Sequence, residues 1–288
     1  GAACPAHAAR ADRAVVVVID SLRYSESLGD RSGSFTPRMA ALCSLGTRVE
    51  PFLNDGGTWT KAAIPASWMG GWFGSRDTVL DGQATQYALA PTFFEAYRKQ
   101  LGRPATDCIY FINSVASLWR ESFDPAYGPS VWSYTHMAGS SDTAVWNEFL
   151  SVMPQYHPRL VYLYLAGVDG AGHSGSWSQY TAAIATADGI VGDLWTWLQA
   201  DMSYAGRTDV FGSAARGRRG AGTAGSRRAR AALGAYVRRA DWQRHAGLGA
   251  AGRPRSGARV GRLFRAVATG RHGRDPAHGH AGCGAVSC

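Results

Sequence analysis

The run Ala14-Val-Val-Val-Val-Ile-Asp20 constrains this chain more than any other stretch. Five consecutive β-branched residues without polar alternation cannot make a strand with one wet face. They read as a central strand covered on both sides, as in the parallel sheet of an α/β protein. Cys108-Ile-Tyr-Phe-Ile112 and Leu160-Val-Tyr-Leu-Tyr-Leu165 have the same character. Helical signals lie between these runs. Thr36-Pro37 offers an N-cap with Pro at the first helical position, opening a helix to about residue 45. Asn54-Asp-Gly-Gly57 is a turn cluster ahead of a helix over residues 60–70. Thr92-Phe-Phe-Glu95 has capping-box spacing before a helix that closes near Gly102. Ser141 or Asp142 can cap a further helix to about Met153. Tyr180, Ile184, Ala187, Val191, Leu194 and Leu198 recur every three or four residues, one apolar stripe of a long helix. Residues 47–53 can form a second strand. Residues 208–211 start a last one, which stops where the composition changes. Strands alternating with helices predict a doubly wound α/β fold, a mostly parallel sheet sandwiched by helices.

That change of composition divides the chain. Residues 212–288 hold 16 Gly, 18 Ala and 16 Arg with only 2 acidic residues, a balance of +14, while residues 1–211 carry −5. The formal charge of +9 belongs to the tail alone. Without apolar periodicity the tail cannot bury a face, and it is expected to be irregular. An Arg/Gly-rich nucleic-acid arm, a solvated linker and the out-of-frame translation of a GC-rich gene all fit it. Any nucleic-acid binding is then a non-specific effect of the tail. Residues 14–211 are left as the folded domain and residues 1–13 as an Ala-rich lead-in. The lead-in has neither initiator Met nor apolar core. It reads as the remnant of a removed leader, which favours a periplasmic or secreted protein, or as a flexible extension. No run approaches the length a bilayer crossing needs, so no transmembrane segment is expected. Cys4, Cys43, Cys108, Cys283 and Cys288 form no C-x-x-C pair, and neither a disulfide framework nor a zinc knuckle follows.

Chemistry in an open α/β sheet gathers beyond the carboxyl ends of the strands. Asp20 ends the first strand there. Asp169 and His173, in Gly167-Val-Asp-Gly-Ala-Gly-His-Ser-Gly175, follow another, and the glycines let a loop bring both to one ion. Thr60 opens a helix whose free N–H groups suit an anion, and a neighbouring metal would lower its hydroxyl pKa. Carboxylates with imidazole suit a divalent ion. Each residue also has an ordinary role: cap, turn or polar loop. Asp188 reads as a solvated or locally bonded carboxylate, His136 and His157 as structural residues without partners, and Trp59, Trp68 and Trp72 as core.

Order and spacing together are more specific. The chain resembles the alkaline phosphatase superfamily, particularly its nucleotide pyrophosphatase/phosphodiesterase-like and phosphatase branches. The carriers are the strand ending in Asp20, Thr36-Pro-Arg-Met39, the Thr60-to-Gly70 segment, and Asp169-Gly-Ala-Gly-His173, whose closing Gly175 comes one residue early. The resemblance covers about residues 14–211. It implies a hydrolase of small-molecule phosphoric esters with Thr60 as nucleophile and two divalent ions, zinc first, with manganese, magnesium or calcium as alternatives. Asp20 and Thr60 would hold one ion, Asp169 and His173 the other. Thr60-Lys-Ala-Ala-Ile64 lacks the Cys/Ser-x-Pro-x-Arg pattern of the sulfatases in the same superfamily, which ranks sulfate esters lower. The family's further ligands, a Ser-Asp-His-Gly loop and a last His, have no counterpart, since no Asp-His pair follows residue 200. The expected enzyme is therefore impaired. The competing classes are a nucleic-acid binder acting through the tail and a non-catalytic α/β module.

Overall fold

The structure is a computed structural model that describes residues 11–49, 53–54, 59–113, 118–215, 231–232 and 235–238. In chain order its elements are β1 (Arg13–Asp20), α1 (Pro37–Cys43), β2 (Thr47–Val49), β3 (Leu53–Asn54), α2 (Thr60–Met69), β4 (Ser75–Leu80), β5 (Gln83–Ala88), α3 (Phe93–Leu101), β6 (Cys108–Asn113) and β7 (Leu118–Arg120). They continue with β8 (Tyr134–Ala138), α4 (Asp142–Tyr156), β9 (Leu160–Leu165), α5 (Gly167–His173), α6 (Trp177–Ala200), β10 (Thr208–Ala215), β11 (Ala231–Ala232) and β12 (Ala235–Arg238).

Uniform apolarity places β1 in the middle of a sheet ordered β2-β12-β10-β1-β9-β6-β8. The five strands from β10 to β8 are all parallel. The short β12 and β2 add antiparallel pairs at the β10 side. Alternation along β1 sends Val15, Val17 and Ile19 to the face covered by α1, α4 and α6, and Ala14 and Val18 to the face covered by α2 and α3. The predicted stripe of α6 is buried at every position. On the other face Trp68 of α2 meets Phe94, Tyr110 and Tyr162 edge-on, with ring centroids 5.4, 5.1 and 5.9 Å away. Edge-to-face packing of this kind adds to plain area burial and ties α2 to β6 and β9.

Several expectations are corrected. The β10 ladder runs on to Ala215, four residues past the expected end, because backbone pairing with β1 continues opposite Asp20 whatever the side chains are. Residues 47–53 hold the separate strands β2 and β3 with residues 50–52 outside the description, as are most of the turn cluster and the greater part of the lead-in and basic tail. α4 continues past Met153 to Tyr156. β4 and β5 form an unforeseen hairpin about Asp81-Gly82, both with positive φ (51° and 77°), the backbone a two-residue reversal demands.

Asp188 is neither solvated nor locally bonded. It is buried and accepts hydrogen bonds from Arg38 N (3.0 Å) and Met39 N (2.8 Å), capping α1 in place of the Thr36 side chain, which makes no capping bond. His136 and His157 have partners after all: His136 Nδ1 lies 2.9 Å from Glu148 Oε1, and His157 Nε2 lies 3.9 Å from Asp201. Among the described residues no helix is long and apolar enough to cross a membrane.

Candidate active site

Asp20 is the last residue of β1 and shares the even-numbered side with Ala14 and Val18, so its carboxylate turns toward α2. Thr60 is the first residue of that helix. Thr60 Oγ donates to Asp20 Oδ2 at 2.8 Å, and the Tyr164 hydroxyl, reaching across from β9, donates to the same oxygen at 2.7 Å. Asp20 is 1% exposed. Burial raises its pKa above the usual carboxylate range; the two hydroxyl donors pull it back and the negative charge of Asp169 adds to the rise.

Beside this buried group the chain turns through Ser21, which has φ +57°. The turn aims the Ser21 hydroxyl at the end of β9, where it donates to Asp169 Oδ1 at 2.5 Å. Asp169 and His173 sit one turn apart on α5, with His173 Nε2 3.3 Å from Asp169 Oδ2. The expected loop is thus a short helix, and of its glycines only Gly175, beyond it, has positive φ. Helical rise, not glycine freedom, brings the pair together. α5 is pinned by Asp142 at the start of α4, whose buried carboxylate accepts from Gly167 N at 2.9 Å. A Cβ at residue 167 would lie 2.6 Å from Asp142 Oδ2, so a side chain there would displace the carboxylate that holds the helix. The His173 side chain is 72% exposed.

All four residues singled out by sequence therefore meet at one edge of the sheet, joined in the order His173, Asp169, Ser21, Asp20, Thr60. Tyr164, Ser21 and Asp142 went unrecognised. Tyr164 and Asp142 carried a weak signal: a Tyr one residue before the end of an apolar strand, and an acidic residue directly after the Ser141 cap. Of the three tryptophans expected in the core, Trp68 is there. Trp59 is 63% exposed next to Thr60, and Trp72 is also exposed. α2 starts at Thr60, with Trp59 in extended conformation at the N-cap position and no side-chain hydrogen bond capping the helix.

Carboxylate, hydroxyl and imidazole are the right donors for divalent ions, but the set is short in number. Among the described residues no three His, Cys, Asp or Glu side chains converge on one point, whereas a catalytic zinc takes three protein ligands. The chain offers two half-sites, Asp20 with Thr60 and Asp169 with His173, each closed by its own contact.

No protein-family model and no curated protein matches the sequence. Solved structures match in three dimensions. A protein of the alkaline phosphatase superfamily from Vibrio parahaemolyticus aligns with a TM-score of 0.51 and 14% identity over 80% of this chain and 60% of that one. Murine ectonucleotide pyrophosphatase/phosphodiesterase 5 aligns with a TM-score of 0.50 and 15% identity over 71% and 57%. BT1596, a 2-O GAG sulfatase, gives a TM-score of 0.56 and 8% identity over 78% and 64%. The fold is that of the alkaline phosphatase superfamily. This chain spans about three-fifths of the length of these three neighbours.

Proposed function

We propose that the protein is a hydrolase of small-molecule phosphoric esters that uses Thr60 as its nucleophile and turns over slowly because the Asp-His ligand loop of the resembled family has no counterpart after residue 200. The observation that carries this reading is the 2.8 Å hydrogen bond from Thr60 Oγ to buried Asp20, at the carboxyl end of β1, where sheets of this kind take their ligands. Thr60 opens α2, so a phosphoryl oxygen beside its hydroxyl also meets the positive end of a helix. Asp20 orients the hydroxyl. Attack by Thr60 Oγ on phosphorus breaks the ester bond, sends the Thr60 proton to the departing alcohol by way of solvent, and leaves a phosphothreonine that water hydrolyses. Divalent ions, zinc foremost, with Asp20 and Thr60 on one side and Asp169 and His173 on the other, would lower the hydroxyl pKa and neutralise the phosphoryl oxygens.

Likeness in fold to a sulfatase makes sulfate esters the alternative. The Thr60 segment favours phosphate, because the sulfatase nucleophile pattern is missing from it. The test is chemical trapping. The full chain is incubated with Zn²⁺ and 4-nitrophenyl phosphate or bis(4-nitrophenyl) phosphate, quenched in acid, digested and examined by mass spectrometry. Phosphorylated Thr60 is expected, and Thr60→Ala should lose both the adduct and nitrophenol release. Release that survives Thr60→Ala, or faster release from 4-nitrophenyl sulfate, overturns the proposal.

A further inference from the structure

We infer that Tyr164 is the positioning residue of this site, holding the Asp20 carboxylate in the orientation that receives Thr60, and that the small sheet β4-β5-β7 holds Tyr164 in turn. The inference rests on Thr60 as the nucleophile. A carboxylate at a strand end rotates easily about its last torsion, whose profile is broad and two-fold. One hydroxyl contact would not fix it. Oδ2 of Asp20 has two, from Thr60 and Tyr164, arriving from different elements. One donor belongs to the reacting group; the other is fixed in the frame.

Tyr164 is buried and has only two side-chain torsions, so once its ring is packed the hydroxyl has little freedom. The packing comes from Trp119 of β7, edge-on at 5.4 Å between centroids. Trp119 is itself buried, and its Nε1 donates to Gln86 Oε1 of β5 at 2.9 Å; Gln86 Nε2 donates to Asp77 Oδ1 of β4 at 2.5 Å. An unbroken set of contacts therefore runs from the outlying sheet through Tyr164 to Asp20. Neighbouring tyrosines on the same face serve as controls. Tyr162 pairs its hydroxyl with Ser67 of α2 at 3.2 Å, and the buried Tyr110 hydroxyl has no hydrogen-bond partner among the described residues. Burial alone therefore does not dictate the partner: Tyr97 of α3, on the same face, donates to Asp107 at 2.8 Å, while Tyr164 donates to Asp20.

The test uses Tyr164→Phe, which removes the hydroxyl and keeps the ring on Trp119, and Trp119→Phe, which frees Gln86 and loosens the ring. With 4-nitrophenyl phosphate, Tyr164→Phe is expected to lower kcat roughly tenfold with KM within about twofold, the split expected when orientation rather than binding is lost. Trp119→Phe should lower kcat by less. A crystal structure of Tyr164→Phe should show the Asp20 carboxylate turned and its contact with Thr60 Oγ opened beyond about 3.5 Å. An unchanged kcat overturns the inference, and so does a retained contact. If the wild-type chain forms no phosphothreonine, the proposed function fails, and the crystal structure alone then decides the role of Tyr164.

Discussion

The two halves of the site are built in opposite ways. Asp20 is sealed between β9 and α2, with two hydroxyls on one oxygen, and its geometry is set before any ligand arrives. Asp169 and His173 stand on a seven-residue helix at the surface, anchored by Val168 in the core and by hydrogen bonds to Ser21 and Asp142. A buried carboxylate must be satisfied by the protein, because water cannot reach it, so its neighbours are fixed. An exposed imidazole is satisfied by water and needs no such frame. The buried half orients the Thr60 hydroxyl through contacts sealed from water, whereas the exposed pair is brought within 3.3 Å by helical spacing alone.

The sharpest way to break this contrast is to loosen the sealed half. Trp68→Ala removes the ring that ties α2 to the sheet and should cost about 3–5 kcal/mol in denaturant unfolding, with loss of whatever activity the chain has. The next effect belongs to the anchor of the exposed half. Asp142→Ala leaves the Gly167 N–H without its acceptor and should cost about 1–3 kcal/mol, whereas Asp142→Asn keeps an acceptor and should stay close to wild type.

The same pair of variants carries a pH signature. Burial raises the Asp142 pKa above 3.8, so the folded chain takes up this proton at higher pH than the unfolded chain does. Asp142 therefore makes stability fall as pH rises from about 3.8 through the raised value. Melting curves of Asp142→Asn should lack that part of the slope; an identical slope in both proteins would show that burial does not govern this carboxyl. The smallest effect is expected at His173. His173→Ala should change stability by no more than about 0.5 kcal/mol while weakening Zn²⁺ binding in calorimetry. Two tightly held ions per wild-type chain would contradict the incomplete ligand set.

Much of the fold was legible in the sequence because its signals are local. The β-branched run, the Thr92–Glu95 capping box and the α6 stripe each act within a few residues, and each formed where expected. The β4–β5 hairpin was equally local and was overlooked, although Asp81-Gly82 is a strong reversal signal. Asp188 is a different case. Its partners Arg38 and Met39 lie about 150 positions away, and no pattern inside α6 distinguishes a cap for another helix from a surface carboxylate. The exposed Trp59 and Trp72 misled for the reverse reason: hydrophobic character allows burial without enforcing it.

Residue order alone determined that strands and helices alternate, that Asp20 and Asp169 follow strands, and that Thr60 opens a helix. Periodicity and capping are properties of neighbours along the chain. Which of these ends came to share an edge, and which hydroxyl braces Asp20, was decided only when β9 paired beside β1 and α2 packed across both. Tyr164 and Asp20 are 144 residues apart. Their hydrogen bond exists because sheet register and the aromatic packing under α2 leave the buried carboxylate no water to turn to.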